Sequence, residues 1–317
     1  MLEILAITTP IFLLIGIGYL AMAGHIVTRE QVQGVGIFVM YCALPALVIR
    51  ALTQNPLEEV FNSQYLLAYG AGSLLVFIGG LAFALKRQHR SLGAGAIQAL
   101  GMSASNSGFV GYPVALMVLG SPAAMFLAMN MLIENLLIIP LALMLAEMSN
   151  QAGGDLRDTL HRTAARLVRN PILIGLLVGV LLAVSGLDLP GPLAKAVDML
   201  ADAAGPAALF VIGGTLYGLR VRGMATDVSQ IVIGKLALHP LAVFGFFMLL
   251  PARDSLLLSG ALLFACAPMI SVYPLLGQRY GMQTIGAAAL MVATLGSFIS
   301  ISLAIWLLNH SSLFAVP

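Results

Sequence analysis

Apolar residues run along this chain in blocks separated by short polar stretches that hold most of its charges. A hydrocarbon core about 30 Å thick takes about 20 apolar residues to cross as a helix. Ten blocks near this length follow one another, at 4–23, 34–52, 64–85, 93–119, 122–146, 171–185, 193–219, 231–250, 256–277 and 283–308. The pattern predicts an all-α integral membrane protein with ten transmembrane helices. The sixth block is short, so it either starts before Pro171 or sits beside a dip in the bilayer. The only long polar stretch, 147–169, carries Gly153-Gly154, Asp155, Asp158 and then four arginines. It reads as an inner, cytoplasmic linker with a short amphipathic helix on the membrane surface.

Landmarks recur at a fixed step of 161 residues: Pro10 with Pro171, Pro45 with Pro206, and Tyr112-Pro113 with Tyr273-Pro274. Gly18 with Gly179 and Gly120 with Gly281 keep the same register. The chain therefore reads as a duplication, with 1–146 as a first five-helix repeat and 170–317 as a second. Five is odd, so the second repeat enters the membrane from the opposite side and the repeats are inverted. Many secondary transporters use that arrangement to build two alternately open states around one midplane site.

Composition agrees with membrane insertion: of 317 residues, 60% are hydrophobic and 9% charged, and the mean hydropathy is +1.00. Soluble domains carry about one quarter charged residues. Cys42 and Cys266 both fall inside apolar blocks, so neither a disulfide framework nor a metal site is expected. The net charge of +2 is too small and too scattered for a nucleic-acid surface. Membrane lipid is the expected surrounding, and no cofactor is implied. Ala21-Met22-Ala23 resembles a signal-peptidase site, but no basic residue precedes the run and Glu3 has the wrong sign, so cleavage is not expected.

With the N-terminus outside, the inner edges collect Arg29, Lys86, Arg87, Arg90, Arg157, Arg162, Arg166, Arg169, Arg220, Arg222, Lys235 and Arg279. Only Arg50, Lys195 and Arg253 fall outside. The positive-inside rule thus places both termini on the outer face.

The densest polar signal within an apolar block is Ser103, Ser105, Asn106, Ser107 and Gly108, followed by Gly111-Tyr112-Pro113. Gly and Pro permit an unwound stretch, and Ser and Asn satisfy the freed backbone groups or a ligand. The mate of this stretch in the repeat, running from Cys266 through Pro268 and Ser271 to Tyr273-Pro274, predicts a second break. Half-helix N-termini at such breaks favour an anion, and the carbonyls freed on the other side suit a cation or a proton donor.

The run Asn106-Ser107-Gly108-Phe109-Val110-Gly111-Tyr112-Pro113, together with Asn170-Pro171, Pro206 to Gly214 and Lys235 to Pro240, resembles the auxin efflux carrier family. This family sits within the wider bile acid, arsenite and riboflavin transporter group. The resemblance spans the chain. It implies a ten-helix fold of two inverted five-helix repeats whose fourth and ninth helices cross as broken helices at the substrate site. It also implies a carrier of small organic anions, such as auxins in plants or malonate in bacteria, and a compact bacterial inner-membrane form. Many relatives carry Asn two residues before the position of Pro274, where this chain has Val272, so auxin specificity is not carried over. Asn106, Ser107, Gly108, Tyr112, Pro113, Pro268, Ser271, Tyr273, Pro274, Pro45 and Pro206 are the substrate-binding candidates.

Glu134 lies mid-block, one turn from Asn130. A carboxylate at that depth costs about 2.5 to 3.5 kcal/mol on insertion scales, so it faces protein or water. It is the leading proton-coupling candidate with Asn130, against a purely packing role. Lys235 and His239, four residues apart, share a helix face and either attract a carboxylate or relay protons, unless Lys235 only snorkels to the inner boundary. Arg50 reads as an anion guide or an interfacial anchor. Asp198 and Asp202 read as a cation site or a solvated helix start. Gly175 and Gly179 form a small-residue face suited to a homodimer contact or an internal one. The rival functions are a channel or sensor on a transporter fold, or an intramembrane hydrolase using Ser105 or Ser107 with His239. The G-x-S-x-G elbow is absent.

Overall fold

A computed structural model describes residues 2–54, 61–150, 165, 168–218, 224–250 and 254–310. Most of the linker over 147–169, including Arg157, Arg162 and Arg166 and the stretch where a surface helix is expected, lies outside the described residues, as do Arg220, Arg222 and Arg253. Among the described residues every regular element is helical. In chain order these are α1 (Leu2–Ala23), α2 (Arg29–Gln54), α3 (Ser63–Lys86), α4 (Leu92–Ser103), α5 (Tyr112–Leu119) and α6 (Ala123–Ser149). They continue as α7 (Pro171–Ser185), α8 (Gly191–Leu216), α9 (Ala225–Met248), α10 (Ser255–Ala265), α11 (Tyr273–Gly277) and α12 (Gln283–His310). Six of these, α2, α3, α6, α8, α9 and α12, are long and apolar enough to cross a membrane. Large apolar side chains such as Leu67, Leu181, Leu241 and Ile299 point outward while Gln98, Ser105, Glu134, Lys235 and His239 are buried. That inversion of the soluble pattern suits a molecule solvated by lipid.

Local sequence explains where helices start. Thr28 and Gln31 form a reciprocal capping box at α2, and Ser91 caps α4. Asn170 accepts from the N–H groups of Ile172 and Leu173, with Pro171 at the first helical position, and Asp254 caps Leu256 and Leu257 in the same way. The cap at Asn170 fixes the start of α7 at Pro171, so the short sixth block does not extend upstream. Tyr273 opens α11 directly after an interruption, whereas 161 positions earlier the helix resumes at Ser107 through a π turn that runs into α5 at Tyr112.

The prolines do not all break helices. Pro10 and Pro206 lie inside continuous α1 and α8. Pro45 sits in continuous α2, so neither Pro45 nor Pro206 interrupts its helix. A widened π turn precedes Pro45 instead, over Val39–Ala43, where Leu44 N–H reaches back five residues to Val39 O. Ser107–Gly111 before Pro113, Glu134–Ile138 before Pro140 and Gly234–Leu238 before Pro240 repeat the arrangement. A proline removes one N–H and pushes its ring against the carbonyl four residues back, and inserting one residue into the turn relieves both.

The chain divides into two compact units, each drawn from both sequence halves. The first comprises 1–62, 107–131 and 168–218, that is α1, α2, α5, the start of α6, α7 and α8. Within it α1 packs on α8 through reciprocal glycines: a Cβ at Gly18 would overlap Phe210 O, and one at Gly213 would overlap Ile15 O. Gly175 and Gly179 of α7 sit against α2, where an added Cβ would stand 2.9 Å from Pro45 Cα and 2.7 Å from Leu52 Cδ1. That small-residue face is therefore used internally. The second unit comprises 63–106, 132–167 and 219–317, holding α3, α4, the end of α6 and α9 to α12. Here α3 packs on α4 and α9, and α11 on α12. Arg90 pairs with Asp227 at 2.8 Å and Tyr280 donates to Glu147 at 2.8 Å.

Candidate functional site: a polar cluster at two helix breaks

The two expected interruptions are present, and their edges meet within the second unit. Helix α4 ends at Ser103 and leaves Ala104, which is extended, and Ser105 and Asn106 outside regular structure, while α10 ends at Ala265 and the chain stays irregular until Tyr273. Asn106 donates its N–H to Pro268 O at 2.7 Å and its side-chain amide to Ser271 Oγ at 2.7 Å. Tyr273, buried at the start of α11, lies so close to α4 that a Cβ at Gly101 would stand 2.5 Å from its Cζ. Pro274 falls in the first turn of the restarting α11, where a missing N–H costs nothing, while Pro113 lies two residues beyond the π turn through which the first helix restarts at Ser107. The restart at α11 spans only five residues, too short to present much of a dipole to an anion.

The freed carbonyls are the better-defined feature. Lys235, brought inward by the π turn of α9, is fully buried and its Nζ contacts three groups. These are Ser105 Oγ at 2.9 Å, Ala265 O at 2.8 Å and His239 Nδ1 at 2.7 Å. Ser300 donates to the neighbouring Cys266 O at 2.9 Å. The last carbonyl of α10 and the one that follows it are thus satisfied by side chains from other helices. Snorkelling of Lys235 to the inner boundary is excluded by its burial: the Nζ is spent on protein partners.

From Lys235 the contacts continue outward in a chain. His239 Nε2 lies 2.8 Å from Ser73 Oγ, and its ring meets Tyr69 edge-on at 5.5 Å. Tyr69 OH lies 3.0 Å from Ser105 Oγ. Ser105 also donates its backbone N–H to Glu134 Oε1 at 3.0 Å. Glu134 opens the π turn of α6, so both membrane-depth ionisable candidates ride on widened turns, which recur at functional sites. Either Lys235 is an ammonium with three acceptors, or it is an amine that accepts from His239 Nδ1–H and donates twice. In both cases it has no idle lone pair with which to take a proton from Ser105.

Among the sequence candidates, the structure gathers Asn106, Pro268, Ser271, Tyr273, Glu134, Lys235 and His239 in the second unit, with Pro274 one residue on. Ser107, Gly108, Tyr112, Pro113, Pro45, Pro206 and Asn130 belong to the first unit. There Gly108 faces Leu44, Gly205 faces Pro113, and Asn130 is buried with neither amide atom bonded among the described residues. Asp198 and Asp202 are neither a cation site nor a merely solvated start. They flank Arg50, with Nη1 at 2.7 Å from Asp202 Oδ1 and 3.9 Å from Asp198 Oδ1. Sequence reasoning missed Tyr69, Ser73 and Ser300 as partners of the cluster. Ser105 and Cys266 stand 161 apart, so the repeat did mark both helix ends, but no local signal pointed from them to α3 or α12.

Comparison with known proteins agrees with this picture. The membrane transport protein family matches residues 4–307. A Rhizobium meliloti (strain 1021) protein provisionally named a malonate transporter is 28% identical over 99% of this chain and 98% of its own length. The uncharacterized transporter YfdV of Escherichia coli (strain K12) is 24% identical, covering 94% of this chain and 95% of that protein. The lysosomal cholesterol signaling protein of Mus musculus is 23% identical over 95% of this chain, which matches 37% of that longer protein. Matched from its first apolar helix to its last, the chain belongs to the membrane transport protein family, the auxin efflux carriers, and is a multi-pass membrane transporter.

Proposed function

We propose that this transporter is a secondary carrier of small organic anions, malonate-like carboxylates in particular, working by alternating access in a bacterial inner membrane. The observation that carries the reading is the pair of interrupted helices tied together by Asn106, whose side chain and Ser271 offer polar groups beside unwound backbone. Neutral donors of this kind bind a carboxylate without trapping it, because each hydrogen bond contributes little net energy and is readily exchanged with water. Ser271 supplies polarity at the second break, next to exposed Val272. Ten membrane helices in two inverted repeats, with both termini on the outer side, fit the step of 161 residues, the two matched interruptions after α4 and α10 and the basic residues gathered at the inner edges. The resemblance of the chain to a relative named for malonate supports the substrate class.

Glu134 is the proton-coupling group in this scheme. It accepts from Ser105 N–H at the end of the broken helix, so loading or unloading its proton alters the bond that holds the break. Purified protein in proteoliposomes tests the reading through uptake of labelled malonate with and without an imposed pH gradient. Saturable accumulation against the malonate gradient is expected, and Glu134→Gln, which keeps the acceptor but cannot exchange a proton, is expected to abolish the pH-driven part. Flux that only dissipates the malonate gradient identifies a channel and overturns the carrier.

A further inference from the structure

Two broken helices end at one place, and a helix C-terminus carries about half a negative charge. Ala265 O is the last carbonyl of α10, Ser105 follows the end of α4 by two residues, and Glu134 is bonded to the same Ser105. Such a concentration of oxygens in a membrane interior has the chemistry of a monovalent-cation site. Here its centre is Lys235 Nζ, with three polar atoms at 2.7 to 2.9 Å and no solvent exposure. With Lys235 as an ammonium, all three N–H groups are matched, His239 accepts through Nδ1, and its Nε2–H donates to Ser73.

We propose that Lys235, as its ammonium, is a tethered cation that fills the cation site made by the ends of α4 and α10. The transporter therefore runs without binding sodium or potassium there. Removing the side chain empties the site and turns it into one for a free monovalent cation. A lysine on α9 also ties that helix to both breaks, which a diffusible ion cannot do.

The test is thermal unfolding of the detergent-solubilised full chain in 100 mM sodium, potassium, methylammonium or choline chloride, followed through the single tryptophan, Trp306. It needs no transported substrate, so its outcome stands apart from the carrier reading. The wild type is expected to melt at one temperature in all four salts. Lys235→Ala is expected to melt lower in choline and to rise by at least about 2 °C in sodium or methylammonium, because a cation that binds only the folded state stabilises it by mass action. A wild-type midpoint that rises with sodium over choline overturns the proposal, as does a folded Lys235→Ala indifferent to all four cations. Should Lys235→Ala fail to fold, Lys235→Met decides. This variant fills the volume without charge, and a midpoint equal to that of the wild type overturns the tethered-cation role, whereas a drop of several degrees supports it.

Discussion

Asn106 donates its backbone N–H to the carbonyl oxygen of Pro268 at 2.7 Å, which ties the interruption after α4 to the interruption after α10. The bond is independent of the side chain, so substitution at Asn106 tests the amide alone. Asn106→Ala is expected to lose the bond to Ser271 Oγ, lowering stability by about 1 kcal/mol. If the amide also receives the carboxylate, uptake falls at least about tenfold, since 1.4 kcal/mol in a barrier is a factor of ten. Ser271→Ala is expected to be milder, because it removes the hydroxyl and leaves the amide free for the anion. Malonate uptake alongside the thermal midpoint of each variant separates the two effects.

Gly101 is held to glycine by its neighbour. A Cβ there would stand 2.5 Å from Tyr273 Cζ and 2.8 Å from its Cε2, and the ring cannot swing away because Tyr273 is fully buried and also lies against Gly286. Gly101→Ala is expected to cost about 1 to 3 kcal/mol, the range for overpacking a core. Gly70→Ala on α3, where nothing lies within 4 Å of the added carbon, serves as the control and is expected to be neutral. Thermal or denaturant unfolding of the two variants checks the difference.

The π turns make a prediction about register. Pro240 forbids the ordinary bond to the carbonyl four residues back, and His239 N–H accordingly reaches Gly234 O five residues back. Pro240→Ala restores a donor and favours ordinary helix, which displaces Lys235 by one residue, or about 100° of rotation, relative to the rest of α9. Loss of uptake is expected, with a thermal midpoint several degrees below the wild type because the buried Lys235 Nζ leaves its three partners. Pro140→Ala asks the same of Glu134. Unchanged uptake in both would mean that the widened turns serve packing only.

The sequence made the interruptions legible for a physical reason. Proline near a restarting helix, at the second position in Tyr273-Pro274 and just beyond the restarting π turn in Tyr112-Pro113, is a local constraint, and duplication wrote it twice. Capping is equally local, so Asn170-Pro171 marked the start of α7. The π turns carried a readable sign as well, a proline two positions beyond each, but Pro10 and Pro206 carry the same residue without a π turn, so proline alone does not separate the cases. What stayed hidden was pairing at long range. Lys235 finds Ser105 across 130 positions and Arg50 finds Asp202 across 152, and nothing in the composition near either residue encodes its partner.

Arg50 and Asp202 supply the remaining prediction. Their contact is short at 2.7 Å, yet the Asp202 side chain is 72% exposed against 21% for Arg50, and Asp198 lies farther off at 3.9 Å. An exposed pair of this kind contributes about 0.2 to 1 kcal/mol, so Asp202→Asn is expected to leave stability nearly unchanged. Its effect on anions should be larger. Asp202 is the nearer of the two carboxylates that offset the Arg50 guanidinium, so removing its charge leaves more of that positive field to draw carboxylates toward the first unit and is expected to lower the KM for malonate while kcat holds. Added salt should erase the gain, since the Debye length shrinks to about 3 Å at 1 M ionic strength. Arg50→Ala should show the opposite sign, with a raised KM that Asp202→Asn does not rescue. Initial uptake rates at low and high salt for the two single variants and the double variant would expose the coupling, and a KM unmoved by either substitution would leave the pair a packing contact between α2 and α8.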